Sequence, residues 1–393
     1  MSLRDELRAD ADRRESRHLR RQRRVQDLRE GAYAIVDGQR LLNFSSNDYL
    51  GLAQHPKLIA AFRKSASEYG VGSAGSALVS GYFESHRALE IQAAALFGYE
   101  ACLYAGSGYL ANIGVLQTLL DDDSVCVQDK LNHACLLDGA RFSGASLKRY
   151  AHADIASAGK LCGEAVGKRL FLVSDGVFSM DGDATQLAEL SMIAKRHHAT
   201  LMIDDAHGVG VLGKSGLGSL QAAGLSADDV PILVVPCGKA LGGQGALILS
   251  NHDIINHLVE CARPYLFSTA PAPVLASALS ESLRLLQAEP EHHAALLSNI
   301  AHFSQLAKQA GLPVLPSTSA IQPLMAGSNA RALHLAGRLR EQGFWLSAIR
   351  PPTVPQGKAR LRITLTALHR PEHIESLVAA LHDTLREDHE PAS

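Results

Sequence analysis

The feature that most restricts the fold of this chain is a series of short strand-like segments, several of them continuous apolar runs, spread over residues 55–285. The segments "ACLY", "SVCVQD", "LKRYAH", "RLFLVSD", "TLMIDD", "PILVVP" and "GALILS" each read as a strand. Continuous rather than alternating hydrophobicity is what strands covered on both faces require. Between them, segments such as "GYLANIGVLQTLL" and "QLAELSMIAKRHH" carry Leu, Ile and Ala at helical spacing. Strands alternating with helices predict an α/β protein whose sheet is mostly parallel and flanked by helices.

On either side of this region the pattern changes. The first residues, "MSLRDELRADADRRESRHLRRQRR", mix both charge signs and read as a solvated amphipathic helix. They lack the apolar segment of a secretory signal, and their acids argue against an organelle transit peptide. The stretch "AYAIVDGQRLLNF" follows as a strand pair turning at Asp37 and Gly38. A long helical pattern, "APVLASALSESLRLLQAEPEHHAALLSNIAHFSQLAKQAG", leads out of the sheet. A smaller unit comes after it, built from "AIQPLMAG", "ARALHLAGRLREQG", "FWLSAI", "ARLRITLT" and "HIESLVAALHDTL". The expected division is therefore residues 1–50 as an N-terminal helix and hairpin, 51–285 as a large domain and 286–393 as a small α/β domain.

Composition narrows the partners. Hydrophobic residues make up 46% and charged residues 20%, as in soluble globular proteins. A net charge of −2 gives no electrostatic reason to expect nucleic acid. No apolar run reaches the ~18 residues of a membrane span. The six cysteines are scattered without a CxxC pair, which points away from a disulfide framework and a thiolate metal centre. The expectation is a cytoplasmic protein without a metal, acting on a small molecule.

Two glycine loops differ in context. "GVGSAG" at 70–75 has the spelling of a dinucleotide loop, but the helical stretch "AFRKSASEY" precedes it and no strand with a terminal acid follows at the required distance. A nicotinamide-dependent dehydrogenase fails on that context, leaving a loop shaped by backbone needs or one lying over a site. In "CLYAGSGYLANIG" a strand ends at Tyr104, and Gly106-Ser107-Gly108 opens a helix. Unsatisfied amides and the positive end of a helix dipole there suit a phosphate.

"LMIDDAHGVG", residues 201–210, ends a buried strand on two carboxylates and a histidine. An unpaired buried carboxylate costs several kcal/mol, so a cation is expected opposite. Lys239 in "PILVVPCGKALGG" comes one helix and one strand later, just past another strand end. Ligands of open α/β sheets sit beyond the carboxyl ends of strands. A phosphate loop, a buried acid, a nearby histidine and a strand-end lysine together suggest pyridoxal phosphate. Its protonated ring nitrogen is the cation for Asp204, Lys239 carries its aldehyde as a Schiff base, and His207 meets its phenolic oxygen.

From about residue 40 onward the chain resembles the α-oxoamine synthases, fold-type I pyridoxal-phosphate transferases that condense an amino acid with an acyl thioester. The segments carrying the resemblance are "LNFSSNDYLGL", "AGSGYLAN", "LNHACLLDGARFSGA", "DGVFSMDGD", "DDAHGVGVLG", "CGKALGG", "STSAIQPL" and "AIRPPTVPQGKARLRITLTA". It implies that Lys239, His133, Asp204 and His207 are catalytic. Gly108, Tyr109, Ser179, Ser268 and Thr269 would join Asp204, His207 and Lys239 in holding the cofactor, Ser268 and Thr269 reaching it from the neighbouring subunit of a homodimer. Arg20 (with Arg21 as the adjacent alternative), Asn47, His133, Thr353 and Arg362 would face the substrates. "AIQPL" and "RPPTVP" resemble the branch that joins L-alanine to a pimeloyl group carried by coenzyme A or a carrier protein, with loss of CO2. The alternatives are the glycine-using branch, which makes 2-amino-3-ketobutyrate and whose "NF-C" start differs from Asn43-Phe44-Ser45-Ser46, another synthase of the family, and a non-catalytic subunit that kept the fold. Two positions depart from the family pattern. Pro236 stands where a phosphate-binding hydroxyl residue is usual, a contact worth about 1–3 kcal/mol when charge-assisted, and Asp175 stands where Glu is usual.

Overall fold

The computed structural model describes residues 1–389. In chain order its elements begin with α1 (Leu3–Ser16), β1 (Gln26–Glu30), β2 (Tyr33–Val36), β3 (Gln39–Asn43), α2 (Pro56–Tyr69) and α3 (Glu84–Phe97). The sheet region follows: β4 (Ala101–Ala105), α4 (Gly108–Leu119), β5 (Ser124–Asp129), α5 (Ala134–Ser143), β6 (Ser146–Tyr150), α6 (Ile155–Gly163), β7 (Arg169–Asp175), α7 (Leu187–Arg196), β8 (Thr200–Asp204), α8 (Ser219–Ala223), β9 (Ile232–Pro236) and β10 (Ala246–Ser250). The chain then runs through α9 (His252–Cys261), α10 (Arg263–Leu266), α11 (Pro273–Ala288), α12 (Glu291–Gln309), β11 (Ile321–Gly327), α13 (Asn329–Glu341), β12 (Phe344–Trp345), β13 (Ser347–Ile349), β14 (Ala359–Thr364) and α14 (Pro371–His389).

Two compact units result. One comprises Asp48–Ser179 with Asp183–His293; the other comprises Met1–Asn47, Met180–Gly182 and the chain from Ala294 onward. The last break falls inside α12; the sequence-based boundaries lie near 50 and 285.

All seven of these segments are strands of one sheet in the larger unit, ordered β4-β10-β9-β8-β7-β5-β6. The five from β9 to β6 run parallel, and β10 runs antiparallel to both its neighbours. Every residue of β5 and β10 is buried, whereas the edge strand β6 buries only Tyr150. Strands covered on both faces need apolar side chains on both faces, at about 1.5–3 kcal/mol for each fully buried Val, Leu or Ile. Leu103, Val115, Leu116, Cys126, Val173, Met202, Val234, Ile248 and Leu258 form the core where α4, α5 and α9 meet this sheet.

Register brings the chemistry to one edge. Asp175, the last residue of β7, pairs with Asp204, the last of β8, and Asp204 pairs with Val234 near the end of β9. Ala105, which ends β4, lies beside Ala246, and Ala246 lies beside Pro236. The glycine turn after β4 therefore opens at the same edge as the carboxyl ends of the parallel strands. The loop at 70–75 follows helix α2, so its letters do not sit in a dinucleotide-binding context.

In the smaller unit, Asp37 and Gly38 both have positive φ, the geometry of a two-residue hairpin turn between β2 and β3. Ser2 and Asp5 cap α1 reciprocally, and the helix buries no residue, as its mixed charges imply. "FWLSAI", read as one strand, is two: β12 pairs in parallel with β3, while β13 pairs antiparallel with β14. The long helical pattern likewise breaks into α11 and α12 at Glu289 and Pro290, because proline cannot continue the preceding helix's hydrogen bonds. Among the described residues no helix is long and apolar enough to cross a membrane.

Candidate active site

Asp204 is 4% exposed at the end of β8. Its Oδ2 accepts a 2.5 Å hydrogen bond from Asn112 Nδ2, and its Oδ1 accepts from the Ala206 amide at 3.0 Å. Asn112 is fully buried in α4, so a neutral amide braces the carboxylate from behind. Asp175, beside it in the sheet, is buried too and accepts from the His133 amide at 2.7 Å. Burial, followed by the charge of Asp204, pushes the Asp175 carboxyl well above the usual carboxylate range.

His133 caps the N-terminus of α5. The residue as a whole is exposed, but burial around its ring lowers its pKa; Asp204 opposes that shift and Lys239 adds to it. Both charges thus reach the imidazole. Its Nδ1 lies 2.8 Å from Cys135 Sγ, and Tyr109 meets the ring edge-on at 6.5 Å between centroids. Tyr109 in turn donates to Asp138 at 2.5 Å. His207, buried in the turn after β8, has its Nδ1 2.5 Å from the hydroxyl of the fully buried Tyr49. Lys239 is half-buried, three residues past the end of β9, and Ser179 is half-buried in the loop after β7.

The glycine turn is a helix start of the expected kind. Ser107 caps α4 by accepting from the Leu110 amide, and Gly108 is the first helical residue. A Cβ on Gly108 would come within 2.8 Å of the Pro236 ring, so glycine is required here by its neighbour across the sheet. Pro236, with neither a side-chain donor nor a backbone N–H, closes the β9 side of this cradle. Ser268 and Thr269 line a cavity of about 210 Å³ together with Gly106 and Ser107 of the same chain.

The smaller unit holds the remaining candidates. Arg362, 6% exposed on β14, donates through Nη1 to Asn47 Oδ1 at 2.9 Å and to Thr364 Oγ1 at 3.1 Å. Arg360, on the same strand, is tied to Asp181 at 2.7 Å and to the Met180 carbonyl at 3.1 Å. The structure separates the two N-terminal arginines: Arg21 donates to Thr353 Oγ1 at 3.0 Å, whereas Arg20 pairs with Glu15 at 3.0 Å on the surface.

One further cluster has metal-like spacing: ligand atoms of His55, Glu289 and His292 lie within 4.8 Å of one another. Glu289 is already met by Lys57 at 2.5 Å, and His55 Nδ1 accepts the Lys57 amide, so the group reads as an ion-pair network.

The residues at the sheet edge fit pyridoxal phosphate: a helix N-terminus for a phosphate, a buried aspartate for a ring cation, a histidine face and a strand-end lysine. Asn112, Cys135 and Tyr49 were missed from sequence. Asn112 left a trace, as the polar residue of "LANIGVL", the apolar stretch of α4.

Residues 39–381 match the family described as aminotransferase class I and II. The chain is 47% identical over 369 residues to the 8-amino-7-oxononanoate synthase of Stenotrophomonas maltophilia, covering 94% of this chain and 90% of that protein. It is 44% identical over 389 residues to the same-named protein of Saccharophagus degradans, covering 98% of each. Among solved structures it resembles a serine palmitoyltransferase from S. paucimobilis with a bound PLP–myriocin aldimine, with a TM-score of 0.93, 25% identity, and 98% of this chain and 99% of that chain covered.

Proposed function

We propose that this chain, which belongs to the class I and II aminotransferase family, joins L-alanine to a pimeloyl thioester with loss of CO2, giving 8-amino-7-oxononanoate in biotin synthesis. The observation that carries the reading is the convergence of Asp204, His133, Lys239 and the Gly108 cradle on one edge of the sheet. Relatives sharing 44–47% of residues over nearly the whole chain support the choice of substrates.

Pyridoxal phosphate, when bound, supplies an electron sink for the pair left on the α-carbon as a proton or CO2 departs. Asp204 holds the proton on the ring nitrogen, and Asn112 holds Asp204. Lys239 would hold the cofactor between turnovers, and its Nζ would take the α-proton of alanine and later return one. His133 would lie over the cofactor ring and orient the amino acid for loss of its α-proton or CO2. His207, steadied by Tyr49, meets the phenolic oxygen. The amides at Gly108 and Tyr109, with Ser179, Ser268 and Thr269, hold the phosphate side. Pro236 contributes shape there and no donor.

Asn47 and Arg362 take the alanine carboxylate. Arg21 rather than Arg20 serves the acyl donor, since Arg21 is the guanidinium on Thr353. The protein acts as a homodimer: Val71 and Val79 beside the glycine loop are each 83% exposed and Phe267 is 73% exposed, a density of open apolar side chains that suits a covered face. Six free cysteines, five of them buried, suit the cytoplasm.

Thiol release by the cofactor-loaded protein tests the reading. L-Alanine with pimeloyl-CoA or a pimeloyl carrier protein should release thiol and yield 8-amino-7-oxononanoate by mass. Release only with glycine and acetyl-CoA would move the protein to the ketobutyrate branch. No release in any mixture would overturn the reading.

A further inference from the structure

Two side chains, Asn112 and Cys135, connect Asp204 to His133, and their hydrogens can be placed one at a time. Asn112 Nδ2 lies 2.5 Å from Asp204 Oδ2 and 3.1 Å from Cys135 Sγ. The reverse amide orientation would press oxygen against a carboxylate, so the NH2 group faces Asp204 and the sulfur. Asn112 Oδ1 is left buried without a hydrogen-bond partner, which means the carboxylate alone dictates the orientation.

Cys135 is 1% exposed, and burial, with the charge of Asp204 adding to it, raises its pKa, so the group is a thiol. Its sulfur accepts the Asn112 N–H, leaving its one hydrogen to donate. The acceptor is His133 Nδ1, 2.8 Å away, which also takes the Cys135 amide at 3.4 Å. A ring nitrogen that accepts from two donors carries no hydrogen of its own, so a neutral ring has its proton on Nε2.

We propose that Asp204 sets the tautomer of His133 through Asn112 and Cys135, so that the imidazole presents an Nε2–H donor. Asn112 and Cys135 are positioning residues on this account: they act through Asp204 and His133. The value of that donor rests on the role given to His133 above; the tautomer itself does not. A donor at Nε2 suits a partner with negative charge, such as a carboxylate or a developing oxyanion.

The test is nitrogen NMR of ¹⁵N-histidine-labelled holoenzyme, with the His133 signals identified by their loss in His133→Asn. The expected result is an Nε2–H ring in the wild type, retained in Cys135→Ser, whose hydroxyl can replace the S–H donor, and partly converted to Nδ1–H in Cys135→Ala. In parallel, kcat should fall about tenfold in Cys135→Ala, roughly the value of one hydrogen bond, and recover in Cys135→Ser. Circular dichroism checks that both variants fold. An Nδ1–H ring in the wild type would overturn the proposal, and so would equal tautomer ratios in the Ser and Ala variants. Failure of the proposed reaction would appear in thiol release alone and leave the tautomer result standing.

Discussion

Asp204 and Asp205 leave β8 side by side, both buried, yet they belong to different parts of the molecule. Asp204 is braced by Asn112 from α4 and lies where its charge acts on His133. Asp205 turns the other way, as successive side chains at a strand end do. Its Oδ1 accepts from Ser219 Oγ at 2.5 Å and its Oδ2 from the Ser219 amide at 2.7 Å, clasping the loop back onto the start of α8. Glycines surround it: a Cβ on Gly176, Gly208 or Gly218 would come within 2.3, 1.9 and 2.0 Å of its carboxylate oxygens. One carboxylate lies beside the histidine of the candidate site and the other holds a loop. The difference is made by what stands on each side of the strand.

Substitution should separate the two. Asp204→Asn keeps the fold but removes the charge, so kcat should drop about 10²–10³-fold, as for loss of a preorganised electrostatic partner, with a melting curve close to wild type. Asp205→Ala orphans the Ser219 amide and hydroxyl and should cost about 2–4 kcal/mol in urea unfolding, two buried donors at 1–3 kcal/mol each with partial relaxation. If Asp204→Asn unfolds as readily as Asp205→Ala, the distinction fails.

The pH dependence of stability sharpens the same contrast. Burial pushes the Asp205 carboxyl up to about 6, above the ordinary 3.8 that it regains on unfolding. Between these values the native state binds more protons than the unfolded state, so the contribution of Asp205 to stability falls as pH rises from about 4 to 6. The shift corresponds to about 2–3 kcal/mol at most. Urea unfolding across this range should show that slope, flattened in Asp205→Asn.

The smallest effect concerns a second adjacent pair. Arg21→Ala should raise KM for the acyl thioester about tenfold, the worth of one charged hydrogen bond. Arg20→Ala should change it less than about twofold, because an exposed ion pair such as Arg20–Glu15 contributes roughly 0–1 kcal/mol. Equal effects would place the substrate contact elsewhere.

Much of the fold was legible because central parallel strands cannot hide their composition. The elements that were not legible lack that signal. β1 is polar and almost wholly exposed, so no periodicity marks it. "FWLSAI" is mostly apolar, and its division between two sheets depends on partners far away in sequence. Within the candidate site, Lys239 and Asp204 stand out because a charge at the end of an apolar run demands a reason. Cys135 reads as an ordinary core residue until its sulfur is seen between an amide and an imidazole.

The amino-acid sequence by itself determined the alternation of strand and helix, the edge at which charged residues emerge, and the family pattern in which they lie, because these follow from local hydrophobicity and from residue order. Tertiary structure decided what each member of the adjacent pairs touches: Asp204 meets Asn112 and Asp205 meets Ser219, Arg21 meets Thr353 and Arg20 meets Glu15. It also decided that Pro236 closes on Gly108, and that a buried amide and a thiol stand between an acid and a histidine. Several of those outcomes rest on hydrogen bonds and contacts a few ångströms long between residues tens to hundreds of positions apart, such as Asn112–Asp204 and Arg21–Thr353, and only the folded chain brings them within reach.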